Sequence, residues 1–424
     1  MRIKSVKAWL AAGYLGMLFL SGCSTVCLDP DGLCAPGRTN TSAHPRVDEL
    51  SYGRQAPHAP APAPAPVRPP ESAPVETRPI ELPGRQAPAG GAARIALLLP
   101  MQSSTLGSAA DAVRAGFMAS VERDGAGFQV DLISTSDNAA EALDAYARAS
   151  ANHDIIVGPL SRPAVSALAA GGPLARPTVA LNHPENRAEV RGPLPRRMWV
   201  AGLSLEDEAR QVAEWAARRH PNGRVLILTG NAPWAQRAAA AFEARWSELG
   251  HTSQRYAVPS TDGQVEPGLL DGLKNRLDID APELLFAALD VPELRQVRTR
   301  IGTTLPCYGG GSINPGRSSG MGIAELDGIH VVDLPWLILP DHPAVMVYPR
   351  PAENEQPLYM QRLYALGIDA FLVARELALH PDAPSAIDGV SGRLTLDPAG
   401  QSLRRVEATA VYHDGSFNPV NTEP

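Results

Sequence analysis

From Arg94 onward the chain alternates between short runs in which nearly every position is apolar and longer segments with helical spacing. RIALLLP (Arg94–Pro100) reads as a strand buried on both faces. A helix from about Leu106 to Val121, the strand FQVDLIST, a helix near 139–149, the strand DIIVGP (Asp154–Pro159), a helix from Ser161 and the strand PTVALN follow it. Continuous apolar strands alternating with helices predict a parallel sheet covered on both faces. The same logic then repeats. Ser204 followed by Glu206, Asp207 and Glu208, with Arg218, Arg219 and His220 at the far end, marks a helix whose charged ends match its dipole. After the strand RVLILTG, the residues Trp234, Ala238, Phe242, Trp246 and Leu249 place one apolar stripe along a helix, so the tryptophans read as core. ELLFAAL, VPELRQVRTRI, LPCYGGG and GIHVVDLP continue the strand–helix alternation, and a long helix spans about Gln356 to His380. The terminal GRLTLDPAGQSLRRVEATAVYHDGSFNPV alternates like a hairpin around Asp397–Gly400, a β-tail that separates this fold from a tandem of Rossmann domains. The expected class is α/β, with two lobes built on parallel sheets.

Before residue 94 the pattern stops. Between Ala56 and Pro88 there are 11 prolines, including the run APAPAPAPVRPP, and few large apolar residues. Such a stretch favours polyproline II and cannot bury enough surface to fold. At about 3.1 Å per residue, the segment from 24 to 93 could reach roughly 200 Å. It reads as a tether. Composition adds little to the picture of the module: lysine occurs only at Lys4, Lys7 and Lys274, and the arginines are interspersed with acids rather than gathered into a patch. With a formal net charge of −7, nucleic-acid binding is disfavoured.

The first 22 residues follow a secretory plan. Arg2, Lys4 and Lys7 precede the apolar run Ala8–Leu20, whose 13 residues are too few for a membrane-spanning helix. The tetrapeptide Leu20-Ser21-Gly22-Cys23 at its end resembles the lipobox of bacterial lipoproteins, in which the cysteine is diacylated, exposed by cleavage and then acylated again. Several acyl chains on Cys23 would hold the protein stably on a membrane. Ser24, where an Asp would imply retention at the inner membrane, implies the outer membrane, with the protein facing the periplasm. Cys27 and Cys34 could close a small disulfide loop in an oxidising compartment, whereas Cys307 lies in a strand-like apolar context and is expected to be buried and inert.

Catalytic and cofactor patterns are missing. Gly309-Gly310-Gly311-Ser312 lacks a P-loop lysine, no GxGxxG follows the first strand, and there is neither GxSxG nor HExxH. The ten histidines show no metal-ligand spacing. No cofactor, no metal and no catalysis are expected.

The opening ALLLPMQSSTLGSAADAVRAGF, the segment DIIVGPLSRPAVSAL and the terminal hairpin resemble the type I periplasmic-binding-protein fold. That resemblance implies two α/β lobes joined by three crossover strands. NAPWAQRAAAAFEARWSELG, ELDGIHVVDLPWLI and RLYALGIDAFLVAREL resemble, more narrowly, the penicillin-binding protein activator lipoproteins. Membership of that family implies an outer-membrane lipoprotein that binds and stimulates a class A penicillin-binding protein, regulating peptidoglycan synthesis and cross-linking. The best-known members carry a helical-repeat domain between lipid and binding-protein fold; here that interval is only the proline-rich tether. The domains expected are a signal peptide (1–22), a lipidated tether (23–93) and a bilobed module (94–424). Within the module, lobe 1 is set at about 94–199 and 335–390, and lobe 2 at about 200–334 and 391–424.

Solute-binding relatives hold their ligand with hydroxyls and helix N-terminal amides. The matching residues are Ser103 and Ser104 after the first strand, Ser161 at a helix start and Asn182 after the next strand. Each doubles as a capping or turn residue. They keep open the alternative of a lipid-anchored receptor for an amino acid or a cell-wall fragment. A third alternative is a wall-spanning structural lipoprotein. Trp336, in Pro335-Trp336-Leu337, is expected at a crossing between lobes, either packing the hinge or touching a partner.

Overall fold

The computed structural model describes residues 93–185, 194–316, 323–351, 356–398 and 402–420. The expected signal peptide, Cys23, Cys27, Cys34 and the expected tether up to residue 92 lie outside them. Lobe 1 opens with β1 (Ala93–Leu99), α1 (Gly107–Asp124), β2 (Phe128–Ser134), α2 (Ala139–Asn152), β3 (Ile155–Val157), α3 (Arg162–Ala170), β4 (Thr178–Ala180) and β5 (Met198–Val200). Its sheet has the order β2-β1-β3-β4-β5 and is parallel throughout.

The chain then enters lobe 2 through α4 (Leu205–Arg219), β6 (Val225–Thr229), α5 (Pro233–Glu248) and β7 (Ser253–Ala257). A small hairpin, β8 (Ser260–Thr261) with β9 (Gln264–Val265), leads to α6 (Pro267–Asp280), β10 (Leu284–Ala288), α7 (Val291–Ile301), β11 (Cys307–Gly309) and β12 (Ile329–Asp333). It returns through the short helices α8 (Pro335–Ile338) and α9 (Pro343–Met346) to α10 (Leu358–Leu379). Last come β13 (Ile387–Asp388), β14 (Arg393–Asp397), β15 (Ser402–Val406), β16 (Ala408–His413) and β17 (Ser416–Pro419). β16 and β17 extend the lobe 2 sheet, order β17-β16-β12-β11-β10-β6-β7, in antiparallel fashion. The chain thus passes between lobes three times: from β5 to α4, from β12 to α8 and from β15 to β16.

Local chemistry explains the element ends. Ser204 Oγ accepts the Asp207 amide at 3.1 Å and caps α4, whose first turn carries the three acids. Asp290 and Glu293 form a reciprocal capping box at α7. On α5, Phe242 and Trp246 are fully buried and Phe242 stacks on Phe286 at 3.9 Å, but Leu249 is 37% exposed. The helix ends at Glu248, so the last position of the expected stripe leaves the buried face. Cys307 is buried, and burial pushes its thiol up to about 11.

One expected boundary is corrected. Residues 391–406 were expected in lobe 2, yet Leu394 and Leu396 of β14 are buried in the lobe 1 core with Phe117, Phe371 and Leu377, and Leu403 of β15 packs on the same cluster. The alternating apolar face of this hairpin covers lobe 1. Only β16 and β17 belong to lobe 2.

Lobe 1 is closed by α10 lying on α1, and two glycines allow the contact. A methyl group at Gly116 would overlap the Tyr364 carbonyl, and one at Gly367 would overlap the Val113 carbonyl. Both neighbours are helix backbone and cannot yield separately. Gly116→Ala or Gly367→Ala is therefore expected to lower unfolding free energy by about 1–3 kcal/mol, despite alanine's better helix propensity. Denaturant unfolding of the two variants checks this; a neutral or stabilising result would mean that the helices are not in such close contact.

Candidate functional site

The carboxyl ends of β1, β3 and β4, neighbours in the sheet, carry the four residues expected to face a ligand. Most of their polar atoms are spent on the chain itself. Ser103 is buried, and its Oγ accepts the amides of Thr105 at 3.1 Å and Leu106 at 2.7 Å. Asn182 donates to the Leu160 carbonyl at 3.1 Å and accepts the His183 amide at 2.9 Å. Ser104 is exposed. Ser161 occupies the cap position of α3 without a side-chain cap bond. Trp336 is 0% exposed, packed against Tyr364 with the Arg350 guanidinium 4.6 Å over its ring. It belongs to an apolar cluster drawn from both lobes, including Leu334, Val390 and Ala410. That is hinge packing and offers no face to a partner.

A second feature of the junction was not expected. Each of the three crossings contributes one buried carboxylate. Glu208, in the first turn of α4, is 2% exposed; Asp333, the last residue of β12, is 0% exposed; Glu407, between β15 and β16, is 7% exposed. One arginine from lobe 1 pairs with two of them, and a second lies close enough for its charge to act on them. Arg362 of α10 donates to Asp333 at 2.6 Å and approaches Glu208 at 3.5 Å. Arg405 of β15 donates to the carbonyls of Ala201 at 2.6 Å and Gly202 at 3.1 Å, and to Ser391 Oγ at 2.9 Å. It thereby pins the third crossing to the first. Asn314 donates to Asp333 at 2.7 Å, and the Gly311 amide donates to Glu208 at 3.0 Å.

Burial raises the Glu208 carboxyl to about 7, against the opposing pull of Arg362. Burial, and then the charge of Glu208, also hold Glu407 well above the usual carboxylate range. Asp369 of α10 is likewise raised by burial, although Ser391 and the Val390 amide donate to it. One Glu407 oxygen has no hydrogen-bond partner. A pocket of about 230 Å³ opens beside it, between α4 and β15, lined by His183, Gly202, Ser204, Gln211, Arg405 and Glu407 among others.

The sequence held a partial signal for this network. Glu208 recurs at helical spacing with Val212 and Trp215 on the buried face of α4. With its acidic neighbours it reads instead as part of a helix start matched to the dipole. Among the described residues, one group has metal-ligand composition, Asp327, His413 and Asp414 near the β16–β17 turn. There Asp327 accepts from His413 Nδ1 at 2.9 Å and from the Asp414 amide at 3.0 Å, so these groups satisfy one another.

Removing Arg362 would leave two buried carboxylates without their main counter-charge. Arg362→Ala is expected to cost about 3–5 kcal/mol of stability. Chemical denaturation at neutral pH measures it; a loss under about 1 kcal/mol would show that the junction does not depend on this side chain.

Two lobes of mainly parallel sheet, three crossings and a terminal β-hairpin define the type I periplasmic-binding-protein fold. A solved protein from Chromobacterium violaceum, described as a "putative branched-chain amino acid ABC transporter", shares it with a TM-score of 0.63 and 29% identity, covering 76% of this chain and 100% of that one. The C-domain of LpoA (YraM) from Haemophilus influenzae, "a regulator of PBP1A", gives a TM-score of 0.62 at 22% identity, covering 78% and 100%. A family model described as "LppC putative lipoprotein" matches residues 90–265 and 263–415, and the chain belongs to that family. Its curated relatives include the penicillin-binding protein activators LpoA of Histophilus somni and Haemophilus ducreyi. The first is 26% identical over 274 residues, 63% of this chain and 45% of the relative. The second is 24% identical over 338 residues, 77% and 54%. The chain therefore spans about half the length of the curated relatives it matches.

Proposed function

We propose that this protein is an outer-membrane lipoprotein whose bilobed module binds a class A penicillin-binding protein and raises its peptidoglycan-synthesising activity without itself catalysing a reaction. The observation that carries the reading is the family match across both lobes, to relatives that are penicillin-binding protein activators. The lipobox at Cys23 and the proline-rich segment support it, because an anchor at one membrane needs reach to meet an enzyme held in the other. Activation of this kind is a coupling free energy: binding one state of the synthase more tightly than another shifts it toward the first.

A receptor for amino acids or wall fragments has less support, since Ser103 and Asn182 brace their own loops. The purified lipoprotein mixed with its cognate synthase is expected to raise the rate of cross-linking of a lipid-linked precursor. An unchanged rate, with no detectable binding, would exclude the proposal. Deleting residues 56–88 removes roughly 100 Å of extended reach. It is expected to abolish stimulation in cells, read as cross-linking in isolated wall material, while leaving stimulation by the purified protein intact; equal cross-linking in cells would show that the segment is not a spacer.

A further inference from the structure

We propose that the three crossing carboxylates and two arginines form a proton-operated latch between the lobes, joined when the cluster holds an extra proton and loosened when it gives that proton up. The proposal concerns the module's own conformations and does not depend on which partner it binds.

The geometry supplies the latch. Arg362 rides on α10, which is packed in the lobe 1 core, yet its guanidinium reaches Asp333 at the second crossing and Glu208 on α4 of lobe 2. Glu208 in turn accepts the amide of Gly311, in the loop that follows β11 of lobe 2. Separating the lobes must break the Arg362–Glu208 contact. The groups facing Glu208 are Arg362 from α10, Asp333 from β12, Arg405 from β15, Glu407 between β15 and β16, and the Gly311 amide. Those facing Glu407 are Glu208, Arg405, Asp333 and Arg362, with Gln211 of α4 accepting its backbone amide at 2.9 Å.

Charge supplies the switch. The three crossing carboxylates, with the buried Asp369 carboxylate also facing Arg405 through Ser391, outnumber the two guanidinium groups, so the ionised cluster holds an excess of buried negative charge that a proton relieves. The unpartnered Glu407 oxygen marks where the ionised network is incompletely satisfied, and the pocket beside it brings solvent up to that residue. In the joined state both Glu208 and Glu407 are raised, Glu208 from 4.5 to about 7. Once the lobes part, water reaches these groups and their affinity for protons falls to the ordinary carboxylate level. A group raised in one state favours that state below its ordinary value, and the advantage is lost as pH rises through the raised value. The joined state is therefore favoured in acid and weakened through neutrality, over a window from about 4.5 to about 7.

The test measures the distance between lobes. Spin labels on Met118→Cys of α1 and Ile279→Cys of α6, both exposed positions, report it in the full-length lipoprotein. Cys27→Ser and Cys34→Ser remove competing thiols, Cys23 is occupied by lipid if the lipobox is processed, and Cys307 is buried with a thiol raised to about 11. Between pH 5 and pH 9 the ratio of joined to separated lobes is expected to fall on the order of a hundredfold, most of it by about pH 7, and the distance distribution is expected to shift with it. Glu208→Gln and Glu407→Gln each remove one negative charge and are expected to hold the joined distance up to pH 9. Unchanged distances in the otherwise native protein overturn the proposal whatever the variants do. So does a transition that persists undiminished in both variants.

Discussion

Charge buried where the chain passes between lobes is the constraint on which the arrangement of this module depends. A two-lobed fold with three crossings must bring three backbone segments side by side, and here each arrives with a carboxylate. Such groups are tolerated away from water only with counter-charge and hydrogen bonds. The requirement explains why Arg362 extends from the lobe 1 core toward lobe 2, and why Arg405 spends its donors on the first crossing and Ser391. Buried pairs of this kind are weak sources of net stability but strict about geometry. The stabilising area lies elsewhere: in the α1–α10 contact, in the aromatic stack of lobe 2 and in the apolar hinge cluster around Trp336.

How much of this was legible in the sequence follows from the range of each interaction. Most strands and helices were, because burial on both faces of a parallel strand and the 3.6-residue period are local signals; β5, of three residues, and β7 and α6, with little buried surface, were not. The cap at Ser204 and the bounds of α7 were legible too, because they depend on residues three apart. The allegiance of the β14–β15 hairpin was not. Leu394 and Leu396 announce one buried face, but nothing local says which lobe covers it. The α1–α10 glycines were invisible for the same reason, since the carbonyl each approaches belongs to the other helix. The junction shows the limit most clearly. Asp333 closes an apolar strand, Glu208 sits in an acidic helix start, and their shared partner Arg362 is 29 residues from one and 154 from the other.

At the cleft, residue type left two readings open for a related reason. Serine and asparagine at strand ends are what a solute-binding site uses, and also what a helix start or a turn uses. Ser103 and Asn182 serve the second purpose. Sequence position could identify the edge of the sheet on which they lie, but could not decide between a ligand and the chain's own amides as the group they satisfy.

These features converge on the spacing of the lobes rather than on a solute between them. Most polar groups of the junction are met by the protein's own, and the hinge residue that might have faced a partner is enclosed. On the latch proposal, such a module would communicate through the relative position of its lobes. If a partner binds the joined form more tightly than the separated one, it must also raise the affinity of the junction for its proton, because linkage between two binding events is reciprocal. Partner and proton would then stabilise the same arrangement. The buried carboxylates, which cost stability in isolation, would set how much that arrangement depends on what is bound.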